Sequence, residues 1–363
     1  IIVGSFFLII AFPPIPQDWE IYKFLSQNAA KILLPYRMTM YIMALYAVFG
    51  MGNSLAKSFK LDGLSGAILS VMAFLLTINP VNVLKDANAG VTGFVIPMAN
   101  LGSAGLFVGI ISTFIAVNIY RFTQRSNFKI TMPEQVPESV SRSFEALTPT
   151  LLVILLFGSI TYYFGFNWNA AITALIKPLV YATDSLPAVM LISLLYGFFW
   201  FFGIHGASIV GSIARPLWLT LLEANTTAVA AGVAGTQLPS ISAEPFYQWF
   251  IFIGGAGTTI GLAILLVTVC KSKYAKDLGR IAFFPALFNI NEPIIFGAPI
   301  VLNVTLAIPF VLTPVVCGVI SWFATVLGLV NRVSVNAPWT LPGPIGAYLA
   351  TGGDFRAIIL SIV

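Results

Sequence analysis

The sequence predicts an all-helical integral membrane protein, and three observations lead to this prediction. Hydrophobic residues make up 58% of the 363 residues, whereas charged residues make up only 9%. Soluble domains carry about 25% charged residues, so a soluble fold would lack the polar side chains that cover its surface. The apolar residues also occur in long runs, and 30 of them are Phe, which suits a lipid-facing surface. A bilayer accepts such side chains on the outside of a helical bundle.

Runs of about 20 mostly apolar residues are the expected signature of membrane-spanning helices. Eight such runs occur in the chain, at 32–49, 63–78, 101–120, 147–164, 186–204, 246–270, 306–330 and 341–363. The start, 1–12, is also apolar but has neither a Met nor a basic residue. Because a signal peptide has a basic start, we interpret 1–12 as the remainder of a first membrane helix that is truncated at the N-terminus.

The polar segment 121–145 predicts a division into an N-terminal half, 1–145, and a C-terminal half, 146–363. It is the longest polar stretch of the chain, and a second basic run follows at 271–280. Both basic runs are expected on the cytoplasmic side, because positive residues accumulate there. The connection 167–187 is then expected on the opposite side.

The predicted orientation requires an irregular segment after the 186–204 span. The spans 186–204 and 246–270 both run inward, so the chain between them has to return outward. Its apolar part contains Arg215 and Pro216, which favours a re-entrant hairpin or a broken helix near 205–222. Irregular backbone survives at membrane depth only where protein buries it or a wet cavity adjoins it.

A second irregular segment is predicted at 283–303. Three prolines interrupt it: Pro285, Pro293 and Pro299. Interrupted membrane segments are typical of transporter substrate sites, because they free backbone groups for a ligand. The alternative interpretation is that both irregular segments are loops that dip toward the bilayer.

Glu292 is the strongest functional candidate. It lies among Ile, Phe and Pro side chains, and a carboxylate in such surroundings is costly unless it has a function. The neighbouring Asn289 and Asn291 add hydrogen-bond donors and acceptors for a substrate. The alternative is a structural salt bridge from Glu292 to Arg215 or Arg332.

His205 is the second candidate, since it is the only histidine of the chain and glycines flank it closely. An imidazole donates or accepts a proton near neutral pH. Together, His205 and Glu292 form a minimal pair for binding and activating a hydroxyl, because a desolvated carboxylate is a better base. Which of the two accepts the proton stays open, and His205 has the alternative role of a hydrogen-bonded core residue.

Three further residues complete the predicted substrate-binding set. Trp339 presents an indole face that can stack on a sugar ring, although an anchor at the membrane interface is its alternative role. Asn336 precedes it in the same segment, and Gly206 follows His205.

The sequence predicts neither a metal nor a cofactor. There is one His, the two cysteines lack paired spacing, and the glycine-rich run 254–261 lacks the Lys of a phosphate-binding loop. Small residues for tight helix packing are the expected role of that run. The basic residues behind the net charge of +5 lie in short runs between apolar stretches. This pattern is typical of a membrane protein and excludes nucleic acid as a partner.

The segment 288–297, Phe-Asn-Ile-Asn-Glu-Pro-Ile-Ile-Phe-Gly, resembles the signature of EIIC. EIIC is the membrane-embedded component of bacterial phosphotransferase systems, and the resemblance is to its lactose, cellobiose and diacetylchitobiose branch. The segments 203–206, 254–261 and 338–342 resemble the same branch. Val304 departs from the pattern, because members of the family often have a proline at that position.

The resemblance implies a homodimer in the bacterial cytoplasmic (inner) membrane, with about ten membrane helices and two re-entrant hairpins per subunit. It also implies a dimer interface in the N-terminal half and a sugar site in the C-terminal half. Glu292 and His205 would lie beside the reactive hydroxyl of a β-linked disaccharide, diacetylchitobiose or cellobiose. A separate EIIB subunit would phosphorylate that hydroxyl from a phospho-cysteine. The alternative function is a proton-coupled secondary sugar transporter, in which Glu292 and His205 relay protons.

Overall fold

A computed structural model of the chain describes residues 7, 10–11, 13, 19–82, 93–126, 128, 130–133, 135–136, 141, 144–298 and 300–363. Most of the predicted first helix, 1–12, lies outside the described residues, as do parts of the polar segment 121–145 and Pro299.

The described residues are mainly helical, which confirms the all-helical prediction. A two-residue antiparallel pair, β1 (Val81–Asn82) with β2 (Phe94–Val95), is the strand structure among them. The helices are α1 (Glu20–Gln27), α2 (Ala29–Ile32), α3 (Leu34–Met40), α4 (Met43–Ser58), α5 (Gly63–Leu75), α6 (Ser103–Arg125), α7 (Leu147–Val153, continued by a π-helix at Ile154–Tyr163), α8 (Trp168–Thr183), α9 (Leu186–Phe201), α10 (Gly206–Ala230), α11 (Glu244–Phe250), α12 (Ile260–Thr268), α13 (Lys273–Leu287), α14 (Glu292–Gly297), α15 (Val304–Val326), α16 (Gly343–Ala350) and α17 (Phe355–Leu360).

Three helical stretches of the described chain are long and apolar enough to cross a membrane: Ala29–Ser58, Ser103–Arg125 and Val304–Val326. A fourth span results if α7 and α8 are counted together, although they meet at 87°. Large apolar side chains such as Phe114, Ile213 and Phe284 are exposed on the helices. In a bilayer these side chains face lipid tails, which is why their exposure costs little.

Two predicted spans are divided by glycines. The 246–270 run consists of α11 and α12 with a loop at 251–259 between them, and the 341–363 run consists of α16 and α17. Gly254, Gly255 and Gly257 have positive φ in the first break, and Gly352 and Gly353 have positive φ in the second. Left-handed residues cannot be part of a right-handed helix, so each run forms two short helices where one span was predicted.

Helix α10 differs from the re-entrant hairpin or broken helix that Arg215 and Pro216 suggested near 205–222. It is continuous from Gly206 to Ala230, and Pro216 lies inside it. The side chains of Trp218 and Leu222, which follow the proline, are buried in the core. The free energy gained from this burial offsets the loss of the backbone hydrogen bond that the proline cannot form.

Helix α8 was not predicted, because 167–187 was interpreted as a connection outside the membrane. Its sequence is apolar, and it begins at Trp168, directly after the turn that follows α7. The indole of Trp168 donates a hydrogen bond to Thr161 Oγ1 at 3.0 Å and contacts the ring of Phe157. These contacts fix the start of α8 against α7.

The chain divides into two compact units, of which one is Arg37–Lys177. Helices α4 and α5 approach closely in it because Gly52 faces the backbone of Gly66, and a Cβ on either glycine would overlap atoms of the other helix. Small residues at such contacts are typical of helix pairs in membranes. A cluster around Tyr120, Val153 and Phe157 joins α6 and α7 to this pair.

The other unit is Ile1–Tyr36 with Pro178–Val363. Its main core contains large aromatic side chains, among them Trp218, Phe246 and Trp249. A second cluster of small and branched side chains, including Ala282, Ile294 and Ile295, packs α12, α13 and α14 together. The side chain of Asn225 is fully buried and ties α10 to two loops, through three hydrogen bonds with the backbone of Ser240 and Val333.

Candidate functional site

A cavity of about 810 Å³ lies within the second unit. Its wall combines aromatic side chains with a small number of polar groups, which is the usual composition of a small-molecule site. The lining residues are Tyr196, Trp200, His205, Ala207, Arg215, Trp218, Leu219, Glu244, Tyr247, Gln248, Phe252, Gly255, Ala256, Asn289, Ile290, Asn291, Glu292, Asn336, Ala337 and Trp339. Most of the residues that the sequence singled out therefore share one cavity wall.

His205 is positioned by the start of α10. It is the N-cap of that helix, and the backbone N–H of Ser208 donates to its Nδ1 at 3.2 Å, while the Ser208 hydroxyl lies 3.0 Å from the same nitrogen. A neutral imidazole whose Nδ1 accepts a hydrogen bond carries its proton on Nε2. Because His205 lines the cavity, the Nε2–H of the neutral ring is available to donate to a ligand there.

Trp200 connects the His205 end of the cavity to the helix of Glu292. The Trp200 ring lies 4.7 Å from the His205 ring and 6.2 Å from the ring of Phe296 on α14, measured between centroids. A backbone hydrogen bond of 2.9 Å from Leu302 N–H to Phe201 C=O holds the same elements together. These contacts place α14, whose first residue is Glu292, next to the start of α10.

Glu292 is partly buried, and within the described chain its carboxylate forms neither an ion pair nor a hydrogen bond. The salt-bridge alternative was wrong for both candidate partners. Arg215 pairs with Glu244, and an Arg332 guanidinium nitrogen donates to the C=O of Leu238. A partly buried carboxylate needs hydrogen-bond donors to replace water. A carboxylate that lacks them in a cavity wall is therefore suited to a polar ligand.

Asn289 and Asn291 line the cavity, but the protein itself uses their amides. Asn289 accepts from Gly254 N–H at 3.0 Å and donates to the C=O of Trp339 and Leu341 at 2.8 and 3.0 Å. The Asn291 amide donates to the C=O of Ala256 at 2.5 Å. Both side chains therefore hold neighbouring loops in place, and their contact with a substrate stays a prediction.

The glycine-rich segment forms the loop between α11 and α12. The prediction that its small residues pack helices together was therefore wrong. A Cβ on Gly255 would overlap the side chain of Asn291, and a Cβ on Gly257 would overlap the ring of Phe310. Both glycines also have positive φ, which side-chain-bearing residues rarely adopt. The loop needs glycines because its backbone docks directly on the asparagines that precede Glu292.

Trp339 and Asn336 lie in the segment before α16, and both line the cavity. The Trp339 side chain is half exposed, and its backbone is held by Asn289. Asn336 is partly buried and its amide makes no hydrogen bond to any described residue, so it remains available to a ligand. Gly206 is not part of the cavity wall; it packs against the Tyr196 backbone, where a Cβ would overlap the carbonyl oxygen.

Helices α10 and α11 contribute further polar residues to the cavity that were not predicted from the sequence. Arg215 donates two hydrogen bonds to Glu244 Oε1, from Nε at 3.0 Å and from Nη2 at 2.8 Å. Gln248 lies one turn after Glu244, and no described residue accepts from or donates to its amide. The available signal was the i, i+4 spacing of Glu244 and Gln248 in an apolar segment, which places both on one helix face.

A family model described as "Phosphotransferase system, EIIC" matches residues 1–314. The chain belongs to this EIIC family. It is 39% identical over 376 residues to a cellobiose-specific EIIC component of Geobacillus stearothermophilus, a match that covers 100% of this chain and 83% of the relative. The resemblance drawn from the Asn-Ile-Asn-Glu-Pro motif is thus confirmed at the level of the family and its branch.

Two further relatives match this EIIC over almost its whole length. The crystal structure of ChbC, the IIC component of an N,N'-diacetylchitobiose-specific phosphotransferase system, superposes with a TM-score of 0.90 at 36% identity and covers 99% of this chain and 85% of that one. A lactose-specific EIICB component of Streptococcus mutans is 32% identical over 379 residues, covering 99% of this chain and 63% of the relative. This EIIC is an integral membrane sugar transporter of the phosphotransferase system.

Proposed function

We propose that this EIIC carries a β-linked disaccharide, diacetylchitobiose or cellobiose, across the cytoplasmic (inner) membrane of a bacterium and presents one of its hydroxyls to a separate EIIB subunit. The observation that carries the proposal is the cavity, in which the carboxylate of Glu292 has no partner among the described residues and shares the wall with His205 and Trp339. The specificities in the names of the cellobiose EIIC and ChbC support this class of sugar.

Glu292 is the proton acceptor in this proposal, and His205 is a hydrogen-bond donor. The Ser208 N–H occupies Nδ1 of His205, and the remaining nitrogen carries the proton, so a neutral His205 has no free basic nitrogen. The carboxylate of Glu292 accepts a proton directly. The geometry therefore favours Glu292 for the role that the sequence left open between the two residues.

The phosphoryl transfer uses the sugar hydroxyl as the nucleophile. Glu292 takes the hydroxyl proton as the sugar oxygen attacks the phosphorus of the EIIB phospho-cysteine, and the sulfur–phosphorus bond breaks to leave a thiolate. The product is a sugar phosphate, which cannot recross the apolar interior of the bilayer because of its charge. EIIB supplies the phosphoryl group, and the lactose-specific EIICB relative, whose name joins the two components, supports such a partner.

The proposal extends to the assembly of the protein. It includes a multi-pass homodimer with about ten membrane helices per subunit, a re-entrant segment near 283–303, and a dimer interface in the half formed by 1–145. All residues that line the cavity belong to 146–363, which supports this second half as the substrate-binding one. The broken helix pair α13 and α14, which carries Glu292 at its break, supports an irregular segment at the site.

Reconstituted vesicles test the proposal. We expect uptake of radiolabelled disaccharide by this EIIC only when EIIB and the phosphocarrier proteins that feed it are supplied on the cytoplasmic side, and we expect the sugar inside to be phosphorylated. A pH gradient alone should give no accumulation. Accumulation of unmodified sugar under a pH gradient without the partner proteins would establish the proton-coupled alternative instead.

A further inference from the structure

We propose that Arg215, Glu244 and Gln248 form a second subsite that binds the hydroxyls of the sugar ring that is not phosphorylated. This inference rests on the proposed function, because it assigns the ring opposite to the one beside Glu292. The three residues line the cavity, and the chemistry proposed above for Glu292 and His205 does not use them.

The subsite lies at the far end of the cavity. His205 is the N-cap of α10 and Arg215 lies ten residues further along the same helix, which is continuous between them. At 1.5 Å per residue, the two positions are about 15 Å apart along the helix axis. Both residues line the cavity, so the cavity is longer than one pyranose ring and accommodates a second ring beyond the first.

Helices α10 and α11 form the wall of this end together. Arg215 bonds to Glu244, and one helical turn later the ring of Trp218 contacts that of Tyr247, with a centroid distance of 4.9 Å. The second contact lies three residues after the first on each helix. The two helices therefore run in the same direction here. All four side chains, with Gln248, face the cavity.

The polar atoms of this wall remain available to a ligand. Both hydrogen bonds from Arg215 end on Oε1 of Glu244, and Nη1 of Arg215 and Oε2 of Glu244 have no partner in the described part of the chain. The side chain of Arg215 is 60% exposed and that of Glu244 is 21% exposed. The amide of Gln248 adds one further donor group and one further acceptor.

This combination suits neighbouring hydroxyls of a neutral sugar. Each hydroxyl donates one hydrogen bond and accepts others, and the wall offers a guanidinium that donates, a carboxylate that accepts and an amide that does both. The opposite charges of Arg215 and Glu244 compensate each other, so the subsite has no net charge that would attract an ion.

The test is equilibrium binding of the disaccharide, and of derivatives that each lack one hydroxyl, to the purified chain in detergent. We expect Gln248→Leu to weaken binding of the intact disaccharide about tenfold and Glu244→Gln about 100-fold, because hydrogen bonds to charged groups are stronger. Gln237→Leu, at an exposed position outside the cavity, is the matched control and should bind like the wild type.

The deoxy sugars localise the contact. For at least one hydroxyl of the unphosphorylated ring, the deoxy sugar should bind more weakly than the intact disaccharide to the wild type but equally well to Gln248→Leu. The variant has already lost the hydrogen bond that the deoxy sugar would remove. Gln248 makes no hydrogen bond to a described residue, so this variant is expected to fold even if the loss of the Arg215 ion pair destabilises Glu244→Gln. The phosphorylated ring is identified from the product of the EIIB reaction.

Three results would overturn the subsite. These are unchanged disaccharide affinity in Gln248→Leu, an equal additional loss for every deoxy sugar, or coupling to a hydroxyl of the phosphorylated ring. Failure of the wild type to bind any β-linked disaccharide would instead contradict the proposed function, so the two failures are distinguishable.

Discussion

Glu292→Gln is expected to lower the rate of sugar phosphorylation by about 10²- to 10⁴-fold, the usual contribution of a general base. The amide keeps the shape of the carboxylate and its ability to hydrogen-bond, but it does not take the hydroxyl proton. Disaccharide affinity should therefore change much less than the rate. A single-turnover reaction with phosphorylated EIIB and saturating disaccharide measures the phosphorylation step directly.

Glu20→Gln is the control for this prediction. Glu20 lies on α1, outside the cavity, in an exposed ion pair with Lys23, and its removal should leave the rate unchanged. A Glu292→Gln variant that phosphorylates the disaccharide at the wild-type rate would show that another group accepts the proton. Equal losses of affinity and of rate would show that Glu292 acts only in binding.

Asn225→Leu is expected to give the largest loss of stability among substitutions outside the cavity. Leu has a similar size but leaves the N–H and C=O of Ser240 and the C=O of Val333 without their partner. An unsatisfied buried polar group costs about 1–3 kcal/mol, so the total is on the order of 3 kcal/mol or more. Thermal unfolding in detergent should show a midpoint lower by at least about 5 °C.

The matched control for Asn225→Leu is Asn118→Leu on α6. The Asn118 amide donates only to the C=O of Phe114 on its own helix, at 2.8 Å. That carbonyl keeps its place in the helical hydrogen-bond ladder when the side chain is removed, so the midpoint should change little. Equal shifts for the two variants would contradict the role of Asn225 in holding α10 against the loops.

The membrane character of the chain was predictable because hydrophobicity is a bulk property of each run. The breaks at 251–259 and 351–354 were not, because each lies inside a run whose overall hydrophobicity predicts one span, and overall hydrophobicity does not reveal the positive φ of the glycines there. The continuity of α10 was also hidden. The charge of Arg215 is compensated by Glu244, which lies 29 residues later, and sequence patterns do not reveal such distant pairs.

The sequence indicated most of the polar residues that share the cavity, but not how their side chains are hydrogen-bonded. Glu292 and His205 stand out in a sequence because isolated polar groups among apolar residues are costly. The amides of Asn289 and Asn291 looked equally available, but they bond to the glycine-rich loop, and that loop meets them only through the tertiary fold. Gln248 gave a weak local signal because its neighbours in the cavity come from a different helix.

The most direct measurement is an experimental structure of this EIIC with its disaccharide bound. We predict that one sugar hydroxyl lies about 2.6–3.2 Å from a carboxylate oxygen of Glu292, and that this hydroxyl is the one that EIIB phosphorylates. A disaccharide bound elsewhere, or bound in the cavity with the phosphorylated hydroxyl out of reach of Glu292, would rule out Glu292 as the proton acceptor.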